Sequence, residues 1–113
     1  MTITLSTHVL NTVNGIPAKE MIIELWKVND DDHIFLTKME TNSDGRVPPL
    51  ELNVAGIYEL VFYVGDYFKE SETSTEPMFL DLVPIRFGVE LGKGNYHVPL
   101  LVSPWSYQTY RGS

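Results

Sequence analysis

The sequence predicts an all-β protein, a two-sheet sandwich of about eight short strands with one short helix. Two observations lead to this fold class. Segments in which apolar and polar side chains alternate recur along the chain, and a period of two is typical of strands with one buried face. Turn sequences rich in glycine, proline, asparagine and aspartate separate these segments. Closure into a barrel stays open, because strand number alone does not distinguish a barrel from two packed sheets.

The first part of the chain contains three expected strands, at residues 3–11, 21–28 and 33–41. The Asn-Gly pair at 14–15 follows the first of them and suits the positive φ of a tight turn. Alternation assigns His8 to the polar face of that strand. Its other residues divide into an inner set of Ile3, Leu5, Thr7 and Val9 and an outer set of Thr4, Ser6 and Leu10.

Prolines and one helical stretch distinguish the second part of the chain. Pro48 and Pro49 cannot donate backbone hydrogen bonds, so any strand beside them is short and lies at an edge. Pro84 assigns its own strand to an edge or a bulge for the same reason. Residues 65–72 give the only expected helix. Further strands are expected at residues 56–63, 81–90, 96–103 and 105–110.

Size and charge restrict the class of protein. At 113 residues the chain fits one domain, residues 1–113, with one hydrophobic core. The formal net charge of -7 argues against nucleic acid and anionic membranes as partners. The chain has no cysteine, which excludes disulfides, thiolate-bound metals and a thiol nucleophile. Because neither a signal peptide nor a long apolar stretch is recognisable, we expect a cytoplasmic location.

The C-terminal sequence Tyr110-Arg111-Gly112-Ser113 is unusual for a chain end. Chain termini are commonly loose and polar, because ordering them costs conformational entropy. This one carries an aromatic ring, a guanidinium, a glycine and a hydroxyl directly after two strand-like segments. We therefore expect the terminus, with Ser113, to be held at a specific position.

Candidate chemical groups are few, and each has an ordinary interpretation. His8, Arg46 and His97 taken singly are typical of solvated or satisfied side chains. The three histidines, with His33, could converge on a metal, but no two have the short spacing of a ligand pair. Asp30 to Asp32 lack the glycine and later ligands of a calcium loop. No G-x-S-x-G sequence supports a serine hydrolase. The residues alone therefore indicate only a β-sandwich with an unusual C-terminus.

Several stretches nevertheless resemble one family closely, the transthyretin-like 5-hydroxyisourate hydrolases of purine degradation. The resemblance runs from Leu5 to Ser113. The terminal Tyr-Arg-Gly-Ser is its most specific part, because it separates the hydrolases from the hormone-carrying transthyretins, which also lack counterparts of His8, Arg46 and His97. The matching stretches are Leu5 to Asn11, Gly15 to Ala18, Glu24 to Trp26, Thr41 to Val47, Tyr96 to Leu101 and Tyr110 to Ser113.

The resemblance implies a transthyretin-like sandwich that assembles as a homotetramer, a dimer of dimers, with sites at the dimer-dimer interface. The implied reaction is hydrolysis of 5-hydroxyisourate to 2-oxo-4-hydroxy-4-carboxy-5-ureidoimidazoline, without metal or cofactor. The implied catalytic residues are His8, Arg46, His97 and Ser113. The implied substrate-binding residues are His8, Arg46, Tyr110, Arg111 and Gly112.

Hydrolysis of a ring amide needs a base for the attacking water, a donor for the oxyanion and a proton for the departing nitrogen. With the resemblance as guide, Arg46 would bind the substrate and the oxyanion. His8 and His97 would activate water and transfer protons, in an order left open. Ser113 would orient the water or a histidine, and Tyr110 would contact the ring.

Two other functions stay open, a carrier that binds a small ligand without chemistry and a structural subunit of a purine-degrading assembly.

Two departures from the family pattern also need a structural account. Asn11 replaces the usual aspartate, and Phe79-Leu80-Asp81 replaces an aromatic-Pro-Glu sequence.

Overall fold

The computed structural model describes residues 2–71 and 74–112, and their alternating segments form strands as predicted. Eleven strand segments and one helix occur in this part of the chain. The strands are β1 (Ile3–Ser6), β2 (Val9–Asn11), β3 (Ile16–Pro17), β4 (Ile22–Asn29), β5 (Asp32–Glu40), β6 (Leu50–Leu52), β7 (Gly56–Tyr63), β8 (Leu82–Val89), β9 (Tyr96–His97), β10 (Leu100–Val102) and β11 (Tyr107–Thr109); the helix is α1 (Val64–Phe68).

One layer of the sandwich is an antiparallel sheet in the order β5-β4-β7-β8. Its strands carry many β-branched and aromatic side chains, which suit a half-buried pleated surface. The register opposes Ile23 to Phe62 and Leu25 to Leu60, so their side chains share the buried face. Helix α1 connects β7 to β8, and β8 lies at the sheet edge, as Pro84 predicts.

The second layer joins two short sheets, β6-β1-β9 and β11-β10-β2-β3. Strand β1 runs parallel to β9, and β2 runs parallel to β10. Backbone hydrogen bonds continue the pairing between the two sheets. The Val98 N–H donates to the Ser6 carbonyl at 2.9 Å, and the Leu100 N–H donates to the His8 carbonyl at 2.8 Å. The two short sheets therefore act as one layer, and the fold is a two-sheet sandwich.

The core lies between the two layers and follows the predicted alternation. Ile3, Leu5, Thr7 and Val9 are buried, whereas Ser6 and His8 are half-buried on the other face. Burying one large aliphatic side chain stabilises a fold by roughly 1.5–3 kcal/mol, so this set anchors the strand firmly. The side chains of β7 and β8 complete the core: Tyr58, Leu60, Phe62, Val83, Ile85 and Val89 are buried.

Two predicted strands are interrupted, and the predicted helix is shorter and begins earlier. The strands expected at 3–11 and 96–103 are each divided in two. Pro99 has no N–H to donate, and the Thr7 hydroxyl donates to the Val98 carbonyl at 2.7 Å. The helix expected at 65–72 begins at Val64 and ends at Phe68, because the Ser71 N–H closes a turn on the Phe68 carbonyl.

No helix in the described part of the chain is long and apolar enough to cross a membrane.

Asn11, the first departure from the family pattern, is buried below the turn that follows β2. Its Oδ1 accepts the backbone N–H of Val13 at 2.9 Å. Its Nδ2 donates to Asn14 Oδ1 at 3.1 Å and to the Tyr67 hydroxyl at 3.2 Å. An aspartate could accept the first bond but could not donate the other two. The asparagine therefore links the turn to helix α1 through donors that a carboxylate lacks.

The second departure lies on the surface, in the loop before β8. Phe79 is exposed, and its ring lies beside Trp105 with 6.0 Å between the ring centroids. The Asp81 carbonyl accepts the Gly65 N–H at 2.9 Å, which joins this loop to the start of α1.

Gly45 lies in the loop before Arg46 and packs closely against the backbone of β2. Its substitution tests this close approach. Its φ is +74°, and an added Cβ would lie 2.5 Å from the Val9 carbonyl oxygen. Gly94 has a φ of +83° but open space around it. We expect Gly94→Ala to lower the unfolding free energy by about 1–2 kcal/mol, the cost of left-handed backbone. Gly45→Ala should cost at least about 1 kcal/mol more, because the clash is with backbone. Chemical denaturation measures both values, and equal losses would contradict the close approach.

Candidate functional site

The parallel register of β1 and β9 brings distant residues together on the outer face of the second layer. Ser6 lies opposite His97 in this register. His8 follows two residues later on the same face, and an isolated antiparallel bridge pairs it with Arg46. Three segments that are far apart in the sequence therefore contribute to one site. Ser6, Arg46, Asn95 and His97 line a depression of about 300 Å³.

The His97 imidazole is half-buried and held at one nitrogen. Its Nδ1 lies 2.8 Å from the Ser6 hydroxyl oxygen. Within residues 2–71 and 74–112, Nε2 forms no hydrogen bond. Nε2 is therefore the ring nitrogen that is left to exchange a proton with a reactant.

Three influences lower the pKa of His97. Burial is the largest, since it disfavours the charged ring, and the charges of Arg46 and His8 add to it. A backbone hydrogen bond with Ser6 acts in the opposite direction. Because the pKa falls below its usual 6.5, the ring is neutral at neutral pH. A neutral imidazole can accept a proton from water, which is what a general base requires.

Arg46 is exposed and lies directly after a tight turn. The Asn42 Oδ1 accepts the Arg46 N–H at 3.0 Å, and the Asn42 N–H donates to the Arg46 carbonyl at 2.8 Å. These bonds fix the backbone from which the side chain projects. No carboxylate in the described part of the chain forms an ion pair with Arg46. Its guanidinium can therefore bind an anion or a developing oxyanion.

The C-terminal segment contacts His97 through its backbone. The Gly112 N–H donates to the His97 carbonyl at 2.7 Å, and the two residues form an isolated antiparallel bridge. A Cβ at position 112 would lie 2.5 Å from His97 Cδ2. Glycine therefore allows the chain end to lie directly against the imidazole.

Tyr110 and Arg111 face a different part of the surface. The Arg111 guanidinium lies over the Tyr96 ring, 4.1 Å from its centroid. Its Nη2 donates to the carbonyls of Lys93 and Asn95 at 3.3 and 3.4 Å. Both residues line a separate cavity of about 240 Å³ beside β8. Within one chain, then, their side chains do not line the depression that contains His97.

The structure thus brings together only part of the predicted set. His8, Arg46 and His97 converge, and Gly112 contacts His97. Ser113, predicted as catalytic, lies outside the described residues. His33 lies on β5 in the other sheet, where its Nε2 is 3.0 Å from Arg86 Nη2. Among the residues that the structure describes, no three histidine, aspartate or glutamate side chains form a group that could hold a metal ion.

Two lining residues, Ser6 and Asn95, were absent from the sequence-based set. Alternation already assigns Ser6 to the face of His8, and this was the available signal. The parallel pairing that opposes Ser6 to His97 is not visible in the sequence. Asn95 lies in a loop, where periodicity gives no guidance.

Comparison with known proteins gives relatives of the same length. A 5-hydroxyisourate hydrolase from Ralstonia nicotianae is 51% identical over 96% of this chain and 97% of its own length. The solved structure of Klebsiella pneumoniae 5-hydroxyisourate hydrolase is 29% identical, with a TM-score of 0.80, over 97% of this chain and 99% of that one.

A crystal structure of (S)-allantoin synthase is similar over 99% of this chain, with 42% identity and a TM-score of 0.90. This chain spans only 44% of the length of that protein. The model of the HIUase/Transthyretin family matches residues 5–112, which include every described residue of the candidate site. The chain therefore belongs to the HIUase/Transthyretin family.

Proposed function

We propose that this chain is an enzyme that hydrolyses 5-hydroxyisourate to 2-oxo-4-hydroxy-4-carboxy-5-ureidoimidazoline in urate degradation. The 51% identity to a full-length 5-hydroxyisourate hydrolase supports this activity. The structural observation that carries the proposal is that Arg46 and His97 line one depression, with His8 bridged to Arg46 and close enough to act on the charge of His97. A base and a cation side by side suit the hydrolysis of a ring amide.

The reaction consumes one water and breaks one ring bond. The water oxygen forms a bond to a ring carbonyl carbon while a base takes one of its protons. The carbonyl oxygen becomes an oxyanion, which then re-forms the C=O bond as the ring C–N bond breaks. The departing nitrogen receives the proton that the base took, and the carbon becomes a carboxylic acid, which releases the second water proton to solvent and becomes a carboxylate. The site must therefore supply a base, an oxyanion donor and an acid.

The described residues can fill these roles. His97 can take the water proton at Nε2, because its Nδ1 is bonded to Ser6 and its pKa is lowered by burial. Arg46 can stabilise the oxyanion, since its guanidinium is charged and without a carboxylate partner among the described residues. His8 can donate a proton to the departing nitrogen, or exchange roles with His97.

The terminal residues enter the proposal with different support. Ser113 stays a prediction from the family resemblance, as do substrate contacts of Tyr110 and Arg111. Their contribution to the site of another subunit would agree with a homotetramer built as a dimer of dimers. Two edge strands, β8 and β11, support such assembly, because edges with exposed apolar residues such as Leu82 and Tyr107 favour pairing.

The competing function is a carrier that binds a small ligand in the same fold. A carrier needs no base of lowered pKa beside an arginine that has no carboxylate partner among residues 2–71 and 74–112, and this observation favours the enzyme. The direct test generates 5-hydroxyisourate with uricase and follows its ultraviolet decay with and without the protein. Faster decay supports the hydrolase. Uncatalysed decay in the presence of the folded protein would favour the carrier.

His97→Asn and Arg46→Ala should each lower kcat by ~100-fold or more, because each removes an acid-base or oxyanion group. The same decay assay measures this loss. His33→Asn is the matched control, since this exposed histidine lies on the other sheet and should leave kcat unchanged. Size-exclusion chromatography with light scattering checks that each variant keeps the oligomeric state of the wild type. Near-normal turnover in both site variants would contradict the assignment.

The pH dependence of kcat/KM tests the state of His97. If the neutral ring is the base, activity is lost as pH falls through the pKa of His97, which lies below 6.5. Arg46→Ala removes a charge that lowers this pKa, so its acid limb should move to higher pH. Rates measured between about pH 5 and 8 give both midpoints. A wild-type midpoint above 6.5, or a shift to lower pH in the variant, would contradict this account.

Gly112→Ala tests the contact between the chain end and His97. The added Cβ must displace the imidazole, because it would lie 2.5 Å from Cδ2. We expect kcat to fall by about 10- to 100-fold, the cost of misplacing a catalytic group by a fraction of its size. Gly88→Ala is the control, since Gly88 lies on β8 in the other layer, its φ is not left-handed and its added Cβ would make only an ordinary contact, 3.5 Å from Ile57 Cδ1. Equal rates for the two variants would show that the close contact does not position the ring.

A further inference from the structure

We propose that Ser6 is a positioning residue, whose hydroxyl holds His97 Nδ1 so that Nε2 faces the substrate. This inference rests on the proposed hydrolase function and extends it to a residue outside the predicted set. Ser6 contacts the candidate base but would not itself react. The distance between Ser6 Oγ and His97 Nδ1 is 2.8 Å.

The backbone around this contact is fixed on both sides. Ser6 and His97 are directly opposed in the parallel pairing of β1 and β9. The Ser6 carbonyl accepts the Val98 N–H at 2.9 Å, and the neighbouring Thr7 hydroxyl donates to the Val98 carbonyl. Leu5 and Thr7, on either side of Ser6, are buried. The hydroxyl is therefore carried on a rigid element, as a positioning group requires.

The imidazole is held at two edges. Ser6 Oγ contacts Nδ1, and Gly112 lies against Cδ2, where even one added carbon would clash. Nδ1 and Cδ2 are the two ring atoms bonded to Cγ, the atom that joins the imidazole to Cβ. The opposite edge, with Nε2, is left to face the depression that Arg46 and Asn95 also line. A ring that turned over would lose the Ser6 bond, so the contact selects one orientation.

A hydroxyl suits this position better than a carboxylate. Its oxygen can accept the Nδ1–H of the neutral ring and of the imidazolium, so the bond persists before and after Nε2 takes a proton. Because it is uncharged, it does not favour the protonated ring as a carboxylate would. Arg46 and His8 are the charged or titratable groups that act on the ring from neighbouring elements, and both disfavour its protonation.

The same short contact could also describe a serine nucleophile beside its base. The two roles make different predictions. A nucleophile forms an ester with the substrate carbonyl, and its removal abolishes the covalent path. A positioning hydroxyl forms no ester, and its removal leaves base and oxyanion donor in place, with a ring that is less well oriented.

The test compares Ser6→Ala, Ser6→Thr and Ser6→Asp with wild type in the uricase-coupled assay. Removing a group that orients a ligand or base typically costs ~10- to 100-fold. We therefore expect Ser6→Ala to lower kcat by about 10-fold with little change in KM, and Ser6→Thr to restore most of the loss. Thr4→Ala is the matched control, because Thr4 lies on the same strand and the same face.

A second measurement is independent of activity. Nitrogen-15 NMR of the histidine side chains reports the protonation and tautomer of the His97 ring in the full chain. Ser6→Asp should raise the pH midpoint of His97, since a carboxylate favours the imidazolium. Ser6→Ala should change its tautomer signals, and Thr4→Ala should change neither.

The outcomes distinguish failure of the hydrolase function from failure of the positioning role of Ser6. If wild type does not accelerate the decay, the hydrolase function fails, and the NMR titrations alone decide whether Ser6 holds the ring. If wild type is active but Ser6→Ala matches it in kcat and in NMR signals, the positioning role is wrong. A covalent adduct on Ser6, trapped by acid and found by mass spectrometry, would also overturn it. A partial loss of kcat, rescue by threonine and a shifted His97 midpoint support it.

Discussion

The parallel pairing of the N-terminal strand with the strand near the C-terminus is the constraint on which the site depends. It opposes Ser6 to His97 and bonds the Leu100 N–H to the His8 carbonyl. Parallel neighbours need a long crossover, and here the crossover includes the whole of the other sheet. The two histidines therefore meet only through this long-range pairing. This couples the chemistry of the site to the completeness of the fold.

Alternation along β1 and β2 serves both the core and the site. Leu5, Thr7 and Val9 are buried between the layers, whereas Ser6 and His8 are half-buried on the opposite face, where Ser6 lines the depression. A register slip of one residue would exchange the two sets and bury the histidine. The bond from the Thr7 hydroxyl to the Val98 carbonyl opposes such a slip, because it is buried and specific to this register. Core packing therefore fixes the positions of the catalytic candidates without touching them.

The sequence predicts the elements of this fold better than it predicts the site. Period-two alternation located the main strands, because each has one buried face. It could not show that β1 and β9 pair in parallel, since pairing joins residues 91 positions apart, and Ser6 was missed for this reason. The family resemblance supplied His8, Arg46 and His97. It grouped Arg111 with them, but the Arg111 guanidinium stacks on Tyr96 and lines another cavity.

Burial, together with a local positive charge on an acidic chain, lowers the pKa of the candidate base and keeps it neutral. The chain carries a net charge of -7, yet the groups that act on His97 are Arg46 and His8. A carboxylate partner would make the histidine a stronger base, but it would also favour the protonated ring that cannot accept a proton. Arg46 has the opposite effect and can stabilise the oxyanion in the same step. One guanidinium therefore helps to keep the base available and stabilises the charge that the base helps to create, and the Ser6 hydroxyl orients the ring without adding a negative charge that would favour its protonation.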